Sequence, residues 1–230
     1  PTGFSNSLLL TNTTGGAIGT NLNFLVQYIE GYNIADLAWG TSSAKTITLS
    51  FWVKSSVTGT YGVGLFTTNA SGSSYVGTYT INSANTWEYK TVTIPGDTGG
   101  TWSTDNNAGM YVCWDLGEGP SRSTTAGSWN NATTNFGLTG GTKLASTSGA
   151  TWYITGVQLE VGSAASPFEN RLYGTELALC QRYYTVGNSA ATGGANLSAF
   201  IPSGDTQRQF YIYFKQSMRT APTMGYAMVS

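Results

Sequence analysis

The chain has 230 residues, a formal net charge of −1 and no histidine. Only 9% of the residues are charged and 13% are aromatic, which is the opposite of the high charge and low aromatic content of disordered chains. The ten Lys and Arg residues are scattered along the sequence, so no surface for nucleic acid is predicted. The apolar runs are too short to cross a bilayer, so no membrane insertion is predicted.

The absence of histidine narrows the chemistry open to the chain. It removes the usual Ser-His-Asp and Cys-His hydrolytic sites and all imidazole metal ligands. Asp115 and Glu118 are the nearest candidates for a glycosidase-type carboxylate pair, but acidic residues in a Gly/Pro turn more often serve as turn formers. We therefore predict a protein that is not an enzyme, has no catalytic residues and needs no cofactor.

The two cysteines, Cys113 and Cys180, are too few for a disulfide framework. Cys113 alternates within an apolar run, and Cys180 lies in a short helical pattern. Both thiols are therefore predicted to be buried and reduced. Reduced thiols fit assembly in a reducing cytoplasm.

Alternating apolar and polar residues predict several strands. Around Phe51 the apolar positions fall on every second residue, which is the period of a half-buried strand. Similar patterns, bounded by Gly, Asn, Ser or Pro, predict strands at 21–30, 46–54, 75–81, 87–94, 110–114 and 151–161. Short strands at these intervals predict an all-β, antiparallel sandwich rather than βαβ units.

The composition changes after about residue 162. A small-residue linker at 163–167 precedes a helix predicted at 175–184 and capped by Thr175, with further strands near 198–201, 207–215 and Met224. We predict a sandwich at 1–168, a linker and short helix at 169–185, and a small C-terminal β unit at 186–230. Because that last unit buries little core, we expect it to dock on a neighbouring chain. The sequence starts at Pro1 rather than Met and stops at Ser230 inside a patterned segment, so we expect it to be a piece of a longer polypeptide.

The sequence resembles a family of virion proteins of tailed phages over nearly its whole length, in order. Sandwich segments carry part of this resemblance: 29–40 (IEGYNIADLAWG), 50–56 (SFWVKSS), 79–82 (YTIN), 85–98 (NTWEYKTVTIPGDT) and 152–160 (WYITGVQLE). The C-terminal part adds 166–171 (SPFENR), 176–184 (ELALCQRYY) and 218–223 (MRTAPT). Such bacteriophage proteins are known mainly as tail-fibre or structural proteins.

The resemblance implies a jelly-roll β-sandwich similar to carbohydrate-binding modules, in a fibrous, commonly homotrimeric appendage. Modules of that type often hold a structural calcium through acidic residues in their last strand. This chain has Thr155 and Gly156 at the corresponding place, so no metal ion is expected, because oxygen-ligand cations generally need more than one carboxylate. The implied location is an exposed appendage of the virion, assembled in the host cytoplasm.

Two loops offer groups that could hold a sugar. One carries Trp129 with Asn130, Asn131 and the nearby Arg122, and the other carries Trp102 with Asp105. An exposed loop tryptophan suggests a partner. The alternative is that each of these rings folds back to seal an end of the sandwich or a subunit contact. The four tryptophans in or beside strand patterns are predicted to be core: Trp39, Trp52, Trp87 and Trp152.

Three functional hypotheses follow from these features. The first is a tail-fibre module for host attachment and receptor binding, with a bacterial surface glycan as the ligand. The second is a purely structural virion protein, such as a head decoration, neck fibre or connector, that contacts other virion proteins. The third is a glycan depolymerase that uses Asp115 and Glu118, and it requires these carboxylates to face each other across a groove.

Overall fold

The computed structural model describes residues 1–20, 22–69, 72–184, 199–200, 209–210, 214–221 and 223. Proximity between Cα atoms divides the chain into two compact units, Pro1–Phe168 and Glu169–Ser230. The first unit is an antiparallel β-sandwich of the jelly-roll type, in which two sheets enclose one core. The predicted all-β fold class is therefore confirmed.

The sandwich is built from a four-stranded and a five-stranded sheet. The four-stranded sheet has the order β1 (Leu8–Thr11), β11 (Thr151–Val161), β3 (Ile47–Ser55), β6 (Glu88–Ile94). The five-stranded sheet has the order β2 (Phe24–Glu30), β7 (Ala108–Asp115), β4 (Gly59–Phe66), β5 (Ser74–Ile81), β9 (Trp129–Asn130). A small parallel pair joins β8 (Ser123–Thr124) to β10 (Gly137–Leu138). Short 3₁₀ helices lie at Gly31–Asn33, Ala35–Leu37, Pro120–Arg122 and Leu144–Ser146.

The core lies between the two sheets and follows the alternation of the strands. Each long strand turns every second side chain inward because successive Cβ atoms point to opposite faces. The fully buried inward side chains include Phe51 and Val53 of β3, Tyr61 and Val63 of β4, and Trp152 of β11. Five predicted strands end within three residues of the observed ones, and 151–161 agrees with β11 at both ends.

Strand β4 was not predicted, although Tyr61, Val63 and Leu65 alternate along it, because glycine is depleted in strands and normally indicates a turn. Gly62 and Gly64 occupy outward positions of the strand, where other chain segments come too close for a side chain. A Cβ on Gly64 would lie 2.5 Å from the carbonyl oxygen of Phe136, and one on Gly62 would lie 2.8 Å from the Cβ of Leu138. These glycines let Phe136 and Leu138 lie directly on the outer surface of the five-stranded sheet.

The prediction for the strand tryptophans is half right. Trp39 and Trp152 are buried in the core, 7% and 0% exposed. Trp52 and Trp87 are only partly buried, so the prediction that they are core residues is wrong. Trp52 alternates with Phe51 and Val53, which point inward, and its own side chain therefore lies on the outer face of the four-stranded sheet.

The second unit contains helix α1 (Tyr173–Gln181). Its N-cap is Leu172, with no side-chain hydrogen bond, so the predicted cap by Thr175 is wrong. Cys180 is exposed, which corrects the prediction that both thiols are buried. Two short strands, β12 (Ala199–Phe200) and β13 (Gln209–Phe210), pair antiparallel. The rest of the predicted strands at 198–201 and 207–215, and the strand near Met224, lie outside the described residues.

Candidate functional site

The two loop tryptophans meet in one aromatic cluster at the end of the sandwich. The ring centroids of Trp102 and Trp129 are 5.8 Å apart, and each packs edge-on against Trp39, at 4.7 and 5.3 Å. Tyr75 lies 5.2 Å from Trp129. Trp102 is 7% exposed, whereas Trp129 is partly buried. The Trp102 ring therefore folds back to seal an end of the sandwich, which is the alternative to an exposed binding residue.

Polar groups hold these two indoles in place. The indole N–H of Trp102 donates to Oδ2 of Asp97 at 2.9 Å, and that of Trp129 donates to the Pro95 carbonyl oxygen at 2.9 Å. Asp97 is 3% exposed and also accepts N–H bonds from Gly99 and Gly100, both at 3.0 Å. Because both indole donors are satisfied inside the protein, neither is available to bind a ligand.

Asn130 and Asn131 lie at the β9 edge of the five-stranded sheet. Oδ1 of Asn130 accepts hydrogen bonds from the Ser74 hydroxyl at 2.9 Å and from the Ala132 N–H at 3.1 Å, so this side chain fixes the local turn. Asn131 is exposed. Strands β9 and β2 form opposite edges of this sheet, which separates both asparagines from the surface formed by β2 and β7.

The carboxylates Asp115 and Glu118 are buried, each 1% exposed. Asp115 accepts backbone N–H bonds from Gly117 at 2.9 Å and from Glu118 at 2.7 Å on one oxygen. Its other oxygen accepts bonds from the Leu138 N–H at 2.8 Å and from the Lys143 ammonium at 3.0 Å. Asp115 is therefore a structural anchor for the segment between β7 and β10, with no open face to a substrate.

The carboxylate of Glu118 has fewer hydrogen bonds than that of Asp115. Its Oε1 accepts the Asn23 N–H at 2.8 Å, whereas Oε2 is buried without a hydrogen-bond partner among the described residues. Burial raises the pKa of Glu118, the Asn23 bond opposes that shift, and the negative charge of Asp115 adds to it. Burial also raises the pKa of the Cys113 thiol, with a further contribution from Glu118 and Asp115, so Cys113 is not an activated nucleophile.

A continuous row of rings lies on the outer face of the five-stranded sheet, away from the core. We call it the outer aromatic strip; it consists of Phe24, Tyr28, Phe66, Tyr111 and Phe136. Tyr28 and Tyr111 pair across β2 and β7 with centroids 4.8 Å apart, and Tyr111 stacks on Phe66 at 4.7 Å. Phe66 stacks on Phe136 at 4.8 Å, and Phe136 meets Phe24 edge-on at 5.3 Å.

The strip is buried at one end and open at the other. Phe66 and Phe136 are 7% and 4% exposed, so they form a rigid base, whereas Tyr28 is 59% exposed. Tyr111 is partly buried, and its hydroxyl lies 3.4 Å from Oγ1 of the exposed Thr68. The strip therefore presents aromatic faces and hydroxyl groups to solvent on a surface fixed by strands.

Two of the predicted site residues lie at opposite ends of this strip. The Arg122 guanidinium carbon is 5.9 Å from the Phe136 ring centroid. At the other end, the Asp105 carbonyl oxygen accepts the Tyr32 N–H at 2.9 Å, which places its loop beside the end of β2 nearest Tyr28. Hydrogen bonds from the backbone and side chain of Asn107 lower the pKa of Asp105, so the loop carries a negative charge.

Sequence reasoning missed the strip, although β2 carries a signal for it. Phe24, Val26 and Tyr28 alternate with Leu25 and Ile29, so both faces of this strand are apolar. Leu25 and Ile29 pack on the core, so Phe24, Val26 and Tyr28 lie on the outer face of the sheet. An edge strand of an antiparallel sheet normally has one polar face, and a second apolar face is a sign of a binding surface.

Gly156 lies at a β-bulge in β11, the last strand of the sandwich. The register of β11 against β3 shifts between Thr155 and Gln158, and Gly156 has a φ of +59° at this β-bulge. A Cβ at this position would also lie 2.5 Å from the ring of Phe4. Among the described residues no group of three or more Cys, Asp or Glu side chains could hold a metal ion.

Comparisons with known proteins extend no further than architecture. No protein-family model matches the sequence, and no curated protein matches it. The chain is similar to a solved structure described as "CBM4 structure and function" (17% identity, TM-score 0.40, covering 69% of this chain and 73% of that one). It is also similar to "Family 16 Carbohydrate Binding Module-2" (13% identity, TM-score 0.33, covering 69% and 78%). Similarities of this size carry no argument about the ligand.

The described residues include no helix that is both long and apolar enough to cross a membrane.

Proposed function

We propose that the unit Pro1–Phe168 is a glycan-binding module and that its binding surface is the outer aromatic strip. One observation carries the proposal: Tyr28 is 59% exposed and continues a stack of buried rings on the outside of a sheet whose core is already complete. Tyr28 adds nothing to the interior of the sandwich. An exposed ring that continues an aromatic row on the outer face of a rigid sheet is a sign of a partner.

The chemistry of the strip suits a sugar. The C–H faces of a pyranose ring lose water when they stack on tyrosine rings, and such rings bring large area at little cost in conformational entropy. Tyr111 and Thr68 supply hydroxyls beside the rings, while Arg122 and Asp105 lie at the two ends. A mainly aromatic lining with a few convergent polar groups is the usual composition of a small-molecule site.

The virion context belongs to the same proposal. The resemblance to tailed-phage proteins makes a bacterial surface polysaccharide the glycan to test, and a homotrimeric tail fibre the assembly to test. Several copies on one fibre would raise the overall affinity far above that of one weak site. A fibre module with these properties would attach the virion to its host.

The test is titration of the full chain with a panel of bacterial surface polysaccharides, comparing Tyr28→Ala with Tyr173→Ala. Tyr173 is 81% exposed but lies in the second unit, so it controls for loss of a surface tyrosine. We expect Tyr28→Ala to weaken binding by about tenfold or more and Tyr173→Ala to leave it unchanged.

Two outcomes would contradict this proposal. If Trp129→Ala abolishes binding in a folded protein while Tyr28→Ala does not, the site lies in the Trp129 loop instead. If the wild-type chain binds no polysaccharide of the panel and yet binds another virion protein, the module is a structural connector.

A further inference from the structure

The four-stranded sheet also presents rings to solvent, on the face of the sandwich opposite the outer aromatic strip. Tyr153 of β11 pairs with Lys54 of β3, and Trp87 directly precedes Glu88, which pairs with Val53. These positions place Tyr153, Lys54 and Trp87 in one row across the sheet. The Lys54 ammonium lies 4.0 Å from the Tyr153 ring centroid and 5.3 Å from that of Trp87.

A second row of rings lies beside the first. Trp52 and Tyr89 pair across β3 and β6 with their centroids 5.4 Å apart. Tyr89 is 44% exposed, and Trp52 is partly exposed. We call the five residues of these two rows, Trp52, Lys54, Trp87, Tyr89 and Tyr153, the Lys54 patch.

Hydroxyl groups continue the same face beyond the rings. The next outward pair is Ser50 with Thr91, followed by Thr48 with Thr93, whose hydroxyls are 3.2 Å apart. Thr91 and Thr93 are exposed, whereas Ser50 and Thr48 are buried and the Thr48 hydroxyl donates to the Gly162 carbonyl oxygen at 2.8 Å. The accessible part of this face therefore combines flat aromatic surface with the two exposed threonines, whose hydroxyl oxygens can accept hydrogen bonds from a sugar.

The fold does not require these rings on the outside. The inward side chains of the same strands, including Phe51, Val53 and Trp152, are each 0% exposed, so the core beneath the patch is complete. Two tryptophans at outward positions of a sheet expose apolar area that a simple structural face would avoid.

Lys54 gives the patch its selectivity. The described residues contain no carboxylate in a salt bridge with Lys54, and the neighbouring Glu88 is bound by Lys90 at 2.6 Å. Contact with the two ring faces holds the ammonium in position. An ammonium that is fixed, partly desolvated and without a carboxylate partner is complementary to an anionic group of a ligand.

We infer that the Lys54 patch is a second glycan site and that it binds acidic polysaccharides, with the Lys54 ammonium pairing the carboxylate of a uronic acid while neighbouring sugar rings stack on Trp52 and Tyr89. This inference goes beyond the proposed function and does not depend on it, because the two sites lie on different sheets. A chain with both sites would bind one polymer through two faces.

The experiment uses the full chain and three uronate polymers, polygalacturonate, alginate and hyaluronan, each beside its carboxyl-methylated form. Methylation keeps the sugar rings and removes the charge. We expect the chain to bind at least one free acid, with methylation weakening binding by about tenfold or more, and added salt to weaken it as well.

Variants assign that binding to the patch. Lys54→Met keeps much of the aliphatic stem and is expected to remove the preference for the free acid, whereas Lys54→Arg keeps the charge and is expected to retain it. Trp52→Ala is expected to weaken both polymer forms. Tyr28→Ala is expected to leave the acid preference unchanged, which separates this site from the outer aromatic strip.

Three results would overturn the inference. The first is equal binding of the free and methylated forms, or no binding to any of the three acids. The second is an unchanged acid preference in folded Lys54→Met. The third is a fall in oligomeric mass on Trp52→Ala, measured by light scattering, because it would show that the face is an interface between copies of the chain.

Discussion

Replacing Asp115 by asparagine tests whether this buried carboxylate anchors the segment that follows β7. The side chain of Asp115 is 1% exposed. One oxygen accepts the N–H groups of Gly117 and Glu118, at 2.9 and 2.7 Å. The other accepts the Leu138 N–H at 2.8 Å and the Lys143 ammonium at 3.0 Å. All four donors point at a group that has no donor of its own.

The expected loss follows from this geometry. An asparagine at position 115 keeps one acceptor oxygen, so its amide NH₂ must face one of the two donor pairs whichever way it turns. Two hydrogen bonds to a charged acceptor are lost, and each contributes about 1.5–3 kcal/mol. We therefore expect Asp115→Asn to lower the free energy of unfolding by about 3–6 kcal/mol, in the range observed when one partner of a buried ion pair is removed.

The assay is urea unfolding of the full chain at neutral pH, followed by tryptophan fluorescence. Asp105→Asn is the matched control, because Asp105 is exposed and its carboxylate accepts bonds from the backbone and side chain of Asn107 in a surface loop. Its midpoint is expected to fall far less than that of Asp115→Asn, because solvent replaces the lost bonds at an exposed site. A loss below about 1 kcal/mol for Asp115→Asn would refute the anchoring role.

Three further predictions concern ionisation and thiol access. Burial raises the pKa of Glu118 in the folded chain, so the wild type loses the stability linked to a protonated Glu118 as pH rises. The glutamine of Glu118→Gln stays neutral, and we therefore expect the urea midpoint of this variant to rise relative to that of the wild type between about pH 4 and about pH 8. For Glu88, burial raises the pKa, but hydrogen bonds led by that from Lys90 outweigh it and lower the pKa from 4.5 to about 2. We expect Glu88→Gln to cost about 1–2 kcal/mol at neutral pH, a cost that fades as pH falls towards 2, and a constant cost in urea unfolding would contradict this linkage. A thiol reagent should label Cys180 in the native chain and Cys113 only after unfolding; equal native rates would contradict the burial of Cys113.

The period of two in the sequence predicted most of the long strands and the all-β class. It did so because the strands around Phe51 and Trp152 each bury one face, and burial of one face leaves a local alternation. The same rule applied to Trp52 would have placed it outside, since its neighbours Phe51 and Val53 point inward. Assigning every strand tryptophan to the core overlooked that alternation.

Strand β4 and the outer aromatic strip depend on contacts between distant parts of the chain. The need for glycine at positions 62 and 64 arises only because Leu138 and Phe136 lie on them. Phe136 in turn joins Phe24 and Phe66, which come from two other strands. No window of sequence contains these partners together.

The sequence by itself determined the fold class, the low charge and the absence of histidine chemistry, because each of these is a property of composition or of neighbours along the chain. Only the tertiary structure decided which aromatic rings are core and which are surface. In this structure Trp102 is buried against Asp97, whereas Tyr28 is exposed. The physical reason is that burial depends on which segments pack together, and sheet order places strands side by side that are far apart in sequence.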